Sequence, residues 1–166
     1  MAAGPDPTLV AAVGNRWLKD QGFGIHVVEQ LSRESLPPAV EVAAWEFGTV
    51  AAFQLLAGRP YRRAVFVGAA ARGRTPGTLH QALGPLPLPS EAEIHGRVGD
   101  SVMGLVSLDN LLFISHYYGR LPQQVLLLEL EPVDETWGCD LSAPAAPLVA
   151  RAVDTILNAL EQWPQA

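Results

Sequence analysis

Two carboxylates stand in the loops that follow the first two apolar runs of this chain. Asp20 lies in Gly14-Asn15-Arg16-Trp17-Leu18-Lys19-Asp20-Gln21-Gly22-Phe23-Gly24, and Glu46 in Glu46-Phe47-Gly48-Thr49. A carboxylate pair beside a substrate can move a proton or hold a cation. Asp20 is also suited to capping a turn in a glycine-rich loop, and Glu46 to standing in solvent; the sequence leaves both readings open. Gly22 and Gly24, ahead of an apolar helix, could cradle an anion. Their spacing lacks the dinucleotide fingerprint, which favours plain tight-turn geometry. His26, beside Val27 and Val28, reads as a helix residue rather than a ligand. His116 suits a helix C-terminus, where a cation is favourable; His80 and His95 take no role. Cys139 has no basic neighbour in sequence to activate a thiolate. Phe23, Trp45 and Phe47 flank these loops, either as core or as fillers of space near a site.

The elements that must position these groups follow from apolar patterning. Thr8–Val13 predicts a buried strand ending at Gly14-Asn15. Gly22–Leu31 predicts a helix with Ile25, Val28 and Leu31 on one side. After the Pro37-Pro38 connection, Val40–Ala44 predicts a second strand. Thr49 then predicts the N-cap of a helix over Val50–Leu56, stopped by Gly58 and Pro60. Ala64–Val67 predicts a third strand, Ala69–Pro76 a loop, and Thr78–Gln81 a short edge strand. Gly84–Ser90 carries a Pro-Leu-Pro-Leu-Pro run, Pro85–Pro89, and reads as an extended loop: a stiff crossover or a docking ligand. Ser101–Tyr118 predicts one helix, with Leu105, Leu108, Leu111, Leu112 and Ser115 on a shared face and Gly119 as its C-terminal cap. Val125–Leu130 predicts a central strand. The final helix is expected after Ser142 as N-cap, with Pro147 marking a shifted start and Leu148, Ala152, Val153, Ile156, Leu157 and Leu160 as its apolar stripe.

Strands that alternate with helices predict an α/β fold: a three-layer αβα sandwich with a mostly parallel twisted sheet and helices on both faces. Ligands of such folds bind outside the carboxyl ends of the strands. The loops Gly14–Gly24, Trp45–Thr49 and Gly68–Arg74 therefore carry the expected site, with Asn15, Asp20, Gln21, Glu46, Gly48 and Thr49 as its binding residues.

The chain has 166 residues, the size of one domain, 1–166, with a flexible N-terminus over 1–7 and the folded part over 8–160. Hydrophobic residues make up 49% and charged residues 17%, a globular composition. The net charge of −6 and a single lysine, Lys19, argue against nucleic acid, which needs clustered positive charge. No apolar run reaches the length of a membrane span, so no membrane insertion is expected. Cys139 is the only cysteine, so no internal disulfide can form. With no signal-like start, the expected location is cytoplasmic.

Four stretches together resemble the [NiFe]-hydrogenase maturation protease family. The opening loop Gly14–Gly24, continued by Ile25–Leu31, is similar to the family's Gly-Asn-x-x-x-x-Asp-acid-Gly-x-Gly. Glu46-Phe47-Gly48-Thr49 is similar to its Asp-Gly-Gly-Thr. Arg63–Arg74 followed by Pro76-Gly77-Thr78 resembles its third strand, loop and Pro-Gly-Thr turn. Leu111–Pro122, Val125–Pro132, Gly138 and Leu141-Ser142 resemble its long helix, last strand and final helix start. The resemblance spans about residues 8 to 160. It implies a processing endopeptidase that clips a C-terminal extension from a hydrogenase large subunit after nickel insertion. It also implies that an acid, an aspartate and a histidine read that nickel. Those positions fall on Gln21, Gly68 and Gly104, which leave no side chain fit to ligate a metal. The expectation is a non-catalytic member with no metal or cofactor of its own. It would bind a [NiFe]-hydrogenase large subunit or another maturation protein. The alternative is an active endopeptidase that uses Asp20 or Glu46.

Overall fold

Runs of apolar residues without polar alternation need cover on both faces, and the fold supplies it. In the computed structural model, which describes residues 7–84 and 90–163, five strands form one sheet. They are β1 (Thr8–Val13), β2 (Val40–Trp45), β3 (Arg63–Ala69), β4 (Leu79–Leu83) and β5 (Gln124–Leu130). Their order is β2-β1-β3-β5-β4. All neighbours pair in parallel except β4, which runs antiparallel along β5 at the edge. Residues 1–6 and the Pro85–Pro89 run lie outside the described residues.

The helices are α1 (Phe23–Leu31), α2 (Thr49–Ala57), α3 (Glu91–Val102), α4 (Leu108–Tyr117) and α5 (Leu148–Gln162). A single 3-10 turn, Lys19–Gly22, leads into α1. Successive side chains of a strand point to opposite faces, and this sorts the core. Val10, Ala12, Val65, Val67, Leu126 and Leu128 pack with α1 and α5. Leu9, Ala11, Val13, Phe66, Val125 and Leu127 pack with α2 and α4. The expected three-layer α/β sandwich is the observed one.

Several local expectations give way to the observed structure. The helix expected over Ser101–Tyr118 is two helices with a break at 103–107. Gly104 adopts φ +85°, a left-handed conformation that favours glycine and ends a helix. Ser107 then caps α4 by accepting the Asn110 amide at 3.3 Å. Leu105, expected on the helix's buried face, stands in this break and is exposed. Helix α3 was not expected at all; it starts with a capping box between Ser90 and Glu93. Gly48, not Thr49, occupies the N-cap of α2. Thr49 is buried instead, and its hydroxyl donates to the Leu105 carbonyl at 2.9 Å. Ser142 does not cap the last helix, because its amide and hydroxyl are turned to Asp20. The helix starts at Leu148, after Pro147. β5 is interior but lies next to the edge; β3 holds the centre. Phe23 and Trp45 are core side chains, and Phe47 is exposed.

Candidate functional site

From β1 the sheet grows in one direction to β2 and in the other to β3. The loops leaving β1 and β3 therefore diverge and open a crevice between them at the carboxyl ends of the strands. A cleft of about 510 Å³ lies there, walled by Asn15, Leu18 and Gln21 on one side and Ala69–Ala71 on another. Gly104, Leu105, Val106, Ser107, Asp109 and Glu135 complete it. Thr49 joins it indirectly, since its bond to Leu105 holds the 103–107 break against the start of α2.

The opening loop is folded by close backbone approach. A Cβ on Gly14 would fall 2.0 Å from the Gln21 carbonyl oxygen, and one on Gly24 would fall 2.3 Å from that of Val67. These glycines serve packing of loop and helix against the sheet. Asn15 Oδ1 accepts the Trp17 amide at 3.0 Å, an Asx turn that shapes the first bend. Asp20 is fully buried and does not line the cleft. Its carboxylate accepts the amides of Val133 (2.8 Å), Asp134 (3.1 Å) and Ser142 (2.8 Å), and the Ser142 hydroxyl (2.8 Å). It pins the opening loop to the β5–α5 connection. Beside it, Lys19 donates to Asp134 at 2.5 Å. That contact, with two bonds from Thr136, holds the Asp134 carboxyl well below the usual carboxylate range.

Glu46 is engaged with the same loop. Arg16 grips it through two bonds, Nε to Oε2 at 2.7 Å and Nη2 to Oε1 at 2.5 Å, and also reaches Glu29 at 2.9 Å. Asp20 and Glu46 thus act as separate anchors: one takes amides and a hydroxyl, the other a guanidinium.

The far wall rests on a network that the sequence reading did not identify. Glu129, near the end of β5, and Glu131, just past it, are 5% and 4% exposed. Glu131 accepts the amides of Arg72 and Gly73, and Arg74 Nε at 3.0 Å. Glu129 takes Arg72 at 2.5 and 2.9 Å and Arg74 at 3.1 Å. Arg72 continues to Asp109 on α4 at 2.6 Å. Burial disfavours the charge on Glu129, but Arg72 and then Arg74 outweigh it and hold its carboxyl below the ordinary value. The legible signal was two glutamates, one inside and one just past the apolar strand expected over Val125–Leu130, with Arg72 and Arg74 in the expected loop Ala69–Pro76.

The positions expected to be read as metal ligands converge on this cleft. Gln21 and Gly104 line it, and Gly68 lies at the end of β3 just before Ala69. Gln21 offers a neutral amide, already donating to Glu135. Gly104 has only backbone. At Gly68 there is no room for a side chain: an added Cβ would meet the Val13 carbonyl oxygen at 2.6 Å and Leu108 at 3.5 Å. Among the described residues no group of three or more His, Cys, Asp or Glu side chains could hold a metal ion. The donor set here does not fit a dication. Gly68→Asp is expected to destabilise the protein by about 1–3 kcal/mol through overpacking, read as a lower midpoint in urea unfolding. Among the described residues no helix is long and apolar enough to cross a membrane.

No family model matches the sequence. The hydrogenase expression/formation protein HupD of Rhizobium leguminosarum bv. viciae is 25% identical over 166 aligned residues, covering 96% of this chain and 78% of the relative. HupD of Bradyrhizobium diazoefficiens is 26% identical over 158 residues, covering 93% and 78%. Among solved structures, the hydrogenase 2 maturation peptidase from Thaumarchaeota archaeon SCGC_AB-539-E09 superposes with a TM-score of 0.64. It is 29% identical and covers 93% of this chain and 98% of its own.

Proposed function

Because the chain belongs to the [NiFe]-hydrogenase maturation protease family, we propose that it is a member that binds without cutting. Its partner is a [NiFe]-hydrogenase large subunit, or another maturation protein, during assembly in the cytoplasm. The observation that carries this reading is the cleft itself. It sits at the carboxyl ends of β1 and β3, yet the positions aligned with an acid, an aspartate and a histidine hold Gln21, Gly68 and Gly104. A nickel ion carried by a substrate would meet a neutral amide and two bare backbones, not the oxygen and imidazole donors that suit a divalent metal. The crowding at Gly68 adds that the space has been given over to packing with Val13 and Leu108.

The alternative, an active endopeptidase removing the C-terminal extension of a nickel-loaded subunit, needs a free base. Asp20 is surrounded by four donors and Glu46 is held at both oxygens by Arg16. Neither is poised to take a proton from water. The test is mass spectrometry on a nickel-loaded large-subunit precursor incubated with the protein, run denatured and native. The expected result is a precursor of unchanged mass that remains in complex in the native spectrum. A mass loss equal to the C-terminal extension establishes the protease instead, and an uncut precursor that forms no complex removes the binding role.

A further inference from the structure

A second hollow lies away from the cleft, on the face of the sheet that carries α2 and α4. Helix α3 follows β4 in the chain but packs mainly on α4 and α2. Between α4 and the β4 edge a groove of about 340 Å³ remains, a volume suited to a small molecule. Its floor is Ala82 of β4 beside its β5 neighbour Leu127, and its wall is Leu112 and Phe113 of α4. Arg97 lies over the Phe113 ring at 5.0 Å and helps to hold it in place. Asp109 alone lines both this groove and the cleft.

The groove is apolar in the middle and polar at its ends. Asp109, Leu112, Phe113 and His116 recur at helical spacing along one face of α4, so the groove follows the helix for about 10 Å. At the Asp109 end stand Arg72, Arg74 and Glu129. Arg72 donates through Nε and Nη2 to Glu129, through Nη2 to Asp109, and through Nη1 only at 3.4 Å. Arg74 donates once each from Nε, Nη1 and Nη2. Both guanidinium groups therefore keep N–H hydrogens without a partner among the described residues. At the other end His116 has its Nδ1 enclosed and unpartnered. A proton enclosed there would lack an acceptor, so by this assignment it sits on Nε2, and His116 offers a donor.

Charge narrows the choice of ligand. Arg72 and Arg74 are tied to Asp109, Glu129 and Glu131, so carboxylates outnumber guanidinium groups. An anion would add to that excess. A cation would have to lie beside the Arg72 guanidinium, which spans Asp109 and Glu129. An uncharged molecule meets neither cost. We propose that this groove is a binding site for an uncharged, ring-sized molecule that carries a carbonyl-type oxygen at each end. The ring lies on Ala82 and Leu127 and packs against Phe113. One oxygen accepts from Arg72 or Arg74, and the other from His116 Nε2. The site stands apart from the large-subunit reading and does not rest on it.

The probe is 1,4-diacetylbenzene, with 4-ethylacetophenone (one oxygen fewer) and terephthalate (a dianion) as comparisons, followed by NMR of the labelled protein. Diacetylbenzene is expected to bind with a Kd of about 1 mM or tighter, the affinity that ordinary efficiency gives a ligand of about 12 heavy atoms. The amides of Ala82, Phe113 and Leu127 are expected to shift, and those of Gln21 and Leu105 in the cleft to stay. Terephthalate is expected to bind about tenfold weaker or not at all. Ala82 is exposed on an edge strand, where phenylalanine is well tolerated. Ala82→Phe is therefore expected to keep the unfolding midpoint and, by filling the floor, to weaken diacetylbenzene about tenfold or more. His116→Phe keeps a ring but removes the donor. It is expected to weaken diacetylbenzene about fivefold and to leave 4-ethylacetophenone nearly unchanged. No binding at several millimolar, shifts confined to the cleft, terephthalate binding as tightly as diacetylbenzene, or indifference to Ala82→Phe overturns the site. Equal losses for both ketones in His116→Phe overturn the assigned role of His116 and with it the two-oxygen ligand.

Discussion

Asp20→Ala is expected to destabilise the protein by about 3–5 kcal/mol, a large part of the ~5–15 kcal/mol that holds a domain together. The carboxylate is 0% exposed and serves three amides and one hydroxyl. Hydrogen bonds to a charged group contribute about 1.5–3 kcal/mol each, and each buried donor left bare costs about 1–3 kcal/mol; the effects are not additive, so the total stays below their sum. Asp20→Asn is expected to fall between wild type and alanine, because the amide keeps one acceptor and turns its NH2 toward donors. Urea unfolding followed by fluorescence reads both. A loss of less than about 1 kcal/mol for Asp20→Ala would mean that water replaces the carboxylate, and the anchoring role would be wrong. The prediction also bears on chemistry. If Asp20 were a base in a working protease, its replacement would abolish cleavage with little change in the unfolding midpoint.

Glu129→Gln should produce the second large effect. Glu129 takes both Arg72 and Arg74. Its replacement leaves two guanidinium groups beside an amide that presents donors to them, and removing one member of a buried ion pair costs about 3 kcal/mol or more. The pH dependence follows in sign. The folded-state pKa of Glu129 is lowered, net of burial, by Arg72 and Arg74; that of Glu131 is lowered by Arg74 and the Arg72 and Gly73 amides, again against burial. A depressed carboxyl contributes stability that is complete above the unfolded value of about 4.3 and is lost as pH falls through the folded value. Wild-type stability is therefore expected to drop as pH falls below about 4.3, and Glu129→Gln to show a flatter acid limb. Unfolding curves between pH 3 and 7 decide it; parallel acid limbs would remove Glu129 from the account.

The sheet was legible because β1, β3 and β5 are apolar on both faces, and only a parallel sheet covered twice accommodates such runs. The stretch from 91 to 118 was not. Its apolar spacing runs through Leu105 as if one helix continued, while the break depends on Gly104 and the Ser107 cap, two local signals that periodicity outvotes. Helix α3 is poor in apolar residues, so periodicity says little there, yet Ser90-Glu91-Ala92-Glu93 is a capping-box signature that can be read directly. At the site, two of the three expected loops, Gly14–Gly24 and Gly68–Arg74, wall the cleft; Trp45–Thr49 does not line it, and the walls from Gly104–Asp109 and Glu135 depend on the unexpected helix break and on the β5–α5 connection. What Asp20 does depends on amides more than a hundred positions away, which spacing along the chain does not encode. Glu129 and Glu131 are a middle case: charge inside a buried strand demands a partner, and Arg72 and Arg74 were within reach of the expected loop.

The Asp20 anchor also sets when the cleft comes into being. Its partners lie 113 to 122 residues further along the chain. Contacts of such separation form late, after local helices and neighbouring strands, because loop closure must be met before they contribute. During synthesis, β1, β2 and β3 can pair while the opening loop still lacks Val133, Asp134 and Ser142. A nascent chain that has not yet released Ser142 from the ribosome therefore carries most of the sheet but no finished cleft, and its competence to engage anything at that end arrives with the final helix.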